Sequence, residues 1–182
     1  EQMQLDIREL HRKLELTVIF VTHDQSEALT MSDRIAVFNQ GRIEQIDTPS
    51  AVYDRPRTRF VAEFIGETNL LEGRVKDSDG TSSAIELDQG ARIVVAQALP
   101  AGGRVSLCVR PERLLLGDAA GRTNRIDCAV VDRVYMGDHL RLSLDDGHGG
   151  LVARAPRQAD PVGVGDRVTL SFAPADCWAL AR

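Results

Sequence analysis

The sequence predicts an α/β segment followed by an all-β domain. It has 182 residues, 43% of them hydrophobic and 27% charged, which is enough chain and apolar surface for a buried core. Helix-like and strand-like patterns alternate as far as Gly66, and short β-type runs separated by Gly, Asp and Pro follow it. We therefore expect two domains, 1–66 and 67–182. The second is predicted to be a small barrel, such as an OB-like fold, or a sandwich.

The first segment begins with a helix over residues 1–15, because Met3, Ile7, Leu10 and Leu14 recur at helical spacing. An apolar, β-branched run follows at 17–22, which is typical of a strand buried on both faces of a parallel sheet. Residues 25–31 then have a helical pattern.

A β-hairpin and two short helices are predicted next. The strands 34–39 and 42–46 meet at Gln40-Gly41, where glycine can take a positive φ. Thr48 followed by Pro49 is typical of a helix start, and a further helix is expected over 59–65.

The second domain is predicted to consist of short strands joined by turns that contain Gly and Asp. Nine strands are expected: 70–76, 83–87, 92–96, 105–109, 126–135, 140–144, 151–155, 167–172 and 177–180.

Charge and cysteine content exclude several classes of protein. The net charge is −5, and residues 67–182 carry 14 basic and 16 acidic side chains, so nucleic acid is not an expected partner. The three cysteines are widely spaced, which fits neither a disulfide framework nor a zinc site and is typical of a reducing cytosol. No apolar run approaches the roughly 20 residues needed to span a bilayer.

His23 is the strongest candidate for chemistry. It is expected at the carboxyl end of the strand 17–22, the edge of an α/β sheet at which ligands bind. An imidazole there could donate a hydrogen bond to a phosphate oxygen or orient a water molecule. The alternative is that His23 only caps the helix that follows.

These residues carry a family resemblance. The stretch from Thr17 to Ile46, TVIFVTHDQSEALTMSDRIAVFNQGRIEQI, resembles the switch-histidine region of ATP-binding cassette (ABC) ATPases. The continuation to Gly73 resembles importer ATPases with a transport-associated OB (TOBE) domain. Residues 109–112 and 134–146 resemble that domain too, so the resemblance covers almost the whole chain.

The resemblance implies that this chain is the C-terminal portion of the ATP-binding subunit of an ABC importer, with 1–66 an incomplete P-loop NTPase sheet with helices and 67–182 an OB-like barrel. His23 would then be the switch histidine that contacts the γ-phosphate of ATP and senses hydrolysis. Residues 66–71 and 173–180 look most like those of polyamine (spermidine/putrescine) importers, while ferric iron and sugar importers remain open.

The same resemblance implies the cofactors and partners of the complete protein. These are ATP and Mg, a second copy of the ATPase subunit, two integral membrane permease subunits and, indirectly, a periplasmic or extracellular solute-binding protein. The expected location is the cytoplasmic face of the bacterial inner membrane.

The sequence departs from the family by lacking a phosphate loop, an apolar strand ending in the Asp-Glu pair that holds magnesium, and the Ser-Gly-Gly signature. We therefore expect a truncated chain that binds no cofactor and hydrolyses no ATP by itself. Its N-terminal segment, deprived of neighbouring strands, is expected to self-associate or to be disordered. The alternative function is a stand-alone regulatory or ligand-binding OB-type module without ATPase activity.

Overall fold

The computed structural model describes residues 2–157 and 162–181, and the chain divides after Gly66 into two units, residues 2–66 and 67–181. Glu1 and Arg182, the outer limits of the expected domains, lie outside the described residues.

The helices and the hairpin of the first unit form as the local sequence signals predict. Val37 and Val52 belong to its small core, together with Ile35, Val61 and Ile65. The elements are α1 Gln2–Leu14, α2 Gln25–Met31, β1 Ile35–Asn39, β2 Arg42–Asp47, α3 Pro49–Asp54 and α4 Arg59–Phe64.

The predicted strand 17–22 is wrong, because these residues have no regular secondary structure. Ile19 and Val21 are 91% and 98% exposed. An apolar strand needs hydrogen-bonded neighbours and cover on both faces. Among the described residues none pairs with this run, and the first unit's sheet is the antiparallel pair β1–β2. The incomplete parallel sheet expected for 1–66 is therefore not formed here.

The turn between β1 and β2 has Gln40 and Gly41 at φ 47° and 76°, the left-handed pair that a two-residue hairpin needs. Helix α3 begins as predicted, with Thr48 as the N-cap and Pro49 in the first turn. The Thr48 hydroxyl accepts a hydrogen bond from the backbone N–H of Ala51 at 3.3 Å.

The Thr48 cap of α3 leads to a prediction about the local stability of this helix. Thr48→Ala should lower the local stability of α3 by about 1 kcal/mol, since the first turn would lose an acceptor for its free N–H groups. Hydrogen exchange of the Val52 and Tyr53 amides measures this change. Thr48→Ser keeps the acceptor and should preserve protection; equal exchange in the alanine and serine variants would contradict the prediction.

All nine strands predicted for the second unit are present within a few residues of their expected limits, and a tenth, β7, was missed because it has only two residues. Short 3₁₀ helices, Pro111–Arg113 and Pro174–Asp176, precede β7 and β12. The strands are β3 Asn69–Ser78, β4 Ser83–Leu87, β5 Arg92–Val95, β6 Arg104–Val109, β7 Leu115–Leu116, β8 Asn124–Tyr135, β9 His139–Asp145, β10 Gly150–Pro156, β11 Arg167–Phe172 and β12 Cys177–Ala179.

The strands form two five-stranded antiparallel sheets, in the orders β12-β6-β3-β4-β5 and β10-β9-β8-β11-β7. One hydrophobic core serves both sheets, and Leu107, Leu142, Leu170 and Phe172 are among its fully buried side chains. The chain is thus mostly β, with few helices, and its second unit is consistent with an OB-like domain.

The two sheets are built from an internal repeat. Strands β3–β6 and β8–β11 have the same order, and each first strand carries a bulge at the equivalent place, after Val75 and after Val130. The short strand after each repeat crosses to the other sheet, so that β7 pairs with β11 and β12 pairs with β6. Neither repeat therefore completes its sheet without the other.

Candidate functional site

The structure places His23 on the surface, directly before α2. The N-cap of α2 is Asp24, whose Oδ1 accepts hydrogen bonds from the N–H groups of Ser26 at 2.8 Å and Glu27 at 3.1 Å. The alternative in which His23 caps this helix is therefore wrong, because the neighbouring carboxylate fills that position.

The turn around His23 is fixed by two further hydrogen bonds. The Thr22 hydroxyl donates to Glu27 Oε2 at 2.6 Å, and the backbone N–H of Asp24 donates to Thr22 Oγ1 at 3.0 Å. Within the described residues the imidazole of His23 makes no hydrogen bond. An exposed imidazole on a fixed turn can donate to a ligand oxygen.

The sequence has no glycine-rich phosphate loop, and the described residues contain no group of three His, Cys, Asp or Glu side chains that could hold a metal ion. The Asp24 carboxylate is already engaged as a helix cap.

The surface of the second unit carries a depression lined by polar side chains. A shallow depression of about 350 Å³ lies beside Gln89, Arg125, Asp127 and Asp146. Several of its polar groups are already paired: Gln89 donates to Asp146 at 3.0 Å, Arg125 donates to Asp118 at 2.5 Å, and Asp127 accepts from the Thr169 hydroxyl at 2.6 Å. Arg92 also lines the depression and lies 3.9 Å from Glu86.

An ionic cluster surrounds the first residue of the second unit. Arg141 Nη2 lies 2.6 Å from Glu67 Oε1, Arg154 lies 3.9 Å from Glu67 Oε2, and Arg110 donates to the Glu67 carbonyl at 3.2 Å. The Arg110 side chain, which lies in the stretch 109–112 that resembles the TOBE domain, is buried. These contacts anchor the start of β3.

The cysteines are structural. All three are free thiols in buried positions. Burial raises the pKa of Cys108 to about 11 and that of Cys128 to about 12, and it raises the pKa of Cys177 well above its ordinary value. These thiols stay protonated near neutral pH, so they are poor nucleophiles and metal ligands.

Sequence reasoning missed the hydrogen bonds that hold the His23 turn. The signal was present, since Asp24 and Glu27 have the spacing of a helix capping box, and Thr22 precedes them.

The chain is similar to the model of one protein family and to several curated proteins. Residues 107–180 match the family model of the TOBE domain. The spermidine/putrescine import ATP-binding protein PotA of Rubrobacter xylanophilus is 40% identical, over 99% of this chain and 49% of its own length. Its counterpart in Ruegeria pomeroyi is 41% identical, over 94% of this chain and 48% of its own length. PotA 1 of Pseudomonas aeruginosa is 44% identical, over 81% of this chain and 40% of its own length.

The chain spans about half the length of the curated relatives it matches. Among solved structures, the cytoplasmic molybdate-binding protein ModG aligns with a TM-score of 0.53 at 16% identity, over 60% of this chain and 92% of its own. At that identity the likeness concerns the fold alone. The helices of the described residues are all too short or too polar to traverse a bilayer.

Proposed function

Because this chain is homologous to the C-terminal half of spermidine/putrescine import ATP-binding proteins and carries a TOBE domain, we propose that it is the C-terminal portion of the ATP-binding subunit of an ABC importer for a small solute, a polyamine. The complete protein would drive uptake by ATP hydrolysis. The observation that carries the proposal is similarity at 40% identity over 99% of the chain, which takes in both units.

In this proposal residues 1–66 are the end of the ATPase domain and 67–182 the transport-associated OB-like domain. His23 would donate a hydrogen bond to the terminal phosphate of ATP, and loss of that contact after hydrolysis would release the segment around it. The exposed ring and the fixed turn support this role. ATP and Mg would be held by residues that this sequence does not contain.

The partners follow from the same proposal. A second ATPase subunit and two membrane permease subunits would complete the importer, with a solute-binding protein delivering the substrate from outside. The complex would place this chain at the cytoplasmic face of the inner membrane. The apolar side chains exposed on α1, among them Met3, Ile7 and Leu10, support an extensive contact in the complete protein.

The test of the ATPase assignment is a substitution in the full-length protein that contains this sequence. His23→Ala should lower the ATPase kcat by about 100-fold, the scale found when one donor to developing charge is removed. His148→Ala, in a glycine-rich loop of the second unit, should leave kcat unchanged. The 182-residue chain alone should release no phosphate. Wild-type activity in the His23 variant would overturn the proposed switch.

The substrate class has its own test. Cells deleted for the gene should lose uptake of labelled spermidine or putrescine and regain it with the wild-type gene but not with His23→Ala. If the deletion abolishes uptake of ferric iron or of a sugar and leaves polyamine uptake intact, the proposed substrate is wrong but the importer assignment stands.

A further inference from the structure

The hydrogen bonds beside His23 form a relay that differs from an ordinary capping box. In that motif the side chain at the third helical position bonds directly to the N–H of the N-cap residue. Here the Thr22 hydroxyl stands between the two groups: the N–H of Asp24 donates to Thr22 Oγ1, which donates in turn to Glu27 Oε2.

The residues on either side of His23 in the sequence take part in this relay. Thr22 precedes it and Asp24 follows it, and both are tied to the first turn of α2, Thr22 through the Glu27 carboxylate and Asp24 through its own caps. The peptide N–H between His23 and Asp24 is therefore hydrogen-bonded, and the side chain of the preceding residue, Thr22, is tied to α2, while the His23 residue is exposed to solvent. The Glu27 acceptor is a carboxylate, and the 2.6 Å separation is usual for a charge-assisted bond between a hydroxyl and a carboxylate.

Helix capping alone does not account for this arrangement. Asp24 already satisfies two of the free N–H groups of α2, and Thr22 lies outside the helix. Because threonine is branched at Cβ, its χ1 angle is restricted to few rotamers, and this restricts the direction of the hydroxyl group. The bond from Thr22 to Glu27 thus constrains the chain on the other side of His23 and adds little to the helix itself.

We propose that Glu27, acting through Thr22, is a positioning residue for His23: its carboxylate sets the backbone from which the imidazole reaches the terminal phosphate. This inference rests on the proposed function. Neither residue is expected to touch nucleotide.

The experiment uses the full-length ATPase. Thr22→Val and Glu27→Ala should each lower kcat by about tenfold, the effect of losing one charge-assisted hydrogen bond, with little change in KM for ATP. Thr22→Ser and Glu27→Gln keep a donor and an acceptor, and they should recover most of the activity. Glu63→Gln, an exposed carboxylate paired only with Arg59 in the described chain, is the matched control and should be neutral.

Double variants that combine these changes with His23→Ala distinguish a positioning role from a general loss of stability. In a His23→Ala background, Thr22→Val and Glu27→Ala should cause no further loss, because the group they position is gone. An additional tenfold loss there would overturn the inference, as would wild-type kcat in Thr22→Val while His23→Ala is inactive. If His23→Ala itself is fully active, the proposed function fails instead.

The 182-residue chain provides a measurement that does not depend on activity. Amide exchange at Asp24 should be faster in Thr22→Val and unchanged in Thr22→Ser, since the amide donates to the threonine hydroxyl. Equal exchange rates in the two variants would show that the relay does not hold the turn.

Discussion

Replacement of Asn69 by leucine is expected to destabilise the second unit by about 3 kcal/mol, because it leaves buried peptide groups without partners. Asn69 is 3% exposed, at the start of β3. Its amide nitrogen donates to the carbonyls of Val109 at 3.2 Å and Val152 at 2.8 Å, and its oxygen accepts from the Val152 N–H at 2.6 Å. Leucine has similar volume but satisfies none of these groups.

Asn124 occupies the equivalent position in the second repeat and should behave in the same way. At the start of β8 it exchanges hydrogen bonds with both backbone groups of Val94, at 2.7 and 2.8 Å. Each asparagine thus joins the first strand of one repeat to the third strand of the other. The two changes are expected to cost similar amounts.

Urea unfolding followed by fluorescence of Trp178, the single tryptophan, reports on this unit because Trp178 lies in β12. Asn39→Leu, at the end of β1 in the first unit, is the control and should leave the Trp178 transition unchanged. A shift below about 0.5 kcal/mol in either buried variant, within the range of ordinary surface changes, would show that the asparagines do not join the sheets.

Phe172→Ala should lower the free energy of unfolding of the second unit by about 3–5 kcal/mol, as expected for removal of a large buried aromatic side chain. Phe172 ends β11 and is fully buried in the core that the two sheets share. Alanine would leave a cavity that antiparallel sheets on both sides cannot close. The same urea titration measures the loss.

Phe38→Ala is the matched control for this change. Phe38 is 62% exposed on β1, so its truncation should have a far smaller effect. Equal costs for the two phenylalanines would mean that the core around Phe172 is not packed as described.

Much of the local structure could be predicted from the sequence because its signals act over a few residues. Gln40-Gly41 determines the hairpin turn, and Thr48-Pro49 determines where α3 begins. The period-two patterns gave the strands of the second unit, since alternate side chains in a half-buried strand face the core.

The strand expected at 17–22 shows where such signals fail. Its apolar run predicts burial on both faces, yet Val21 is 98% exposed, because a strand exists only with hydrogen-bonded neighbours. The hypothesis that His23 lies at the end of a buried strand is therefore also wrong. The position of His23 on an exposed turn before α2 comes from short-range hydrogen bonds of Thr22, Asp24 and Glu27, for which the capping-box spacing was the signal in the sequence.

The repeat was also present in the sequence but was not recognised there. Residues 104–107 read RVSL and residues 167–170 read RVTL, and a proline follows each at the same distance. Four matching residues are too few to establish a repeat without the matching strand orders.

The sequence by itself determined the helix limits, the turns, the strand pattern of the second unit and the residues that resemble an importer ATPase, since each depends on neighbours along the chain. Only the tertiary structure decided the exchange of β7 and β12 between sheets, the pairing of Asn69 and Asn124 with distant strands, and the solvent exposure of 17–21. These features depend on contacts between residues far apart in sequence, which local propensity does not specify.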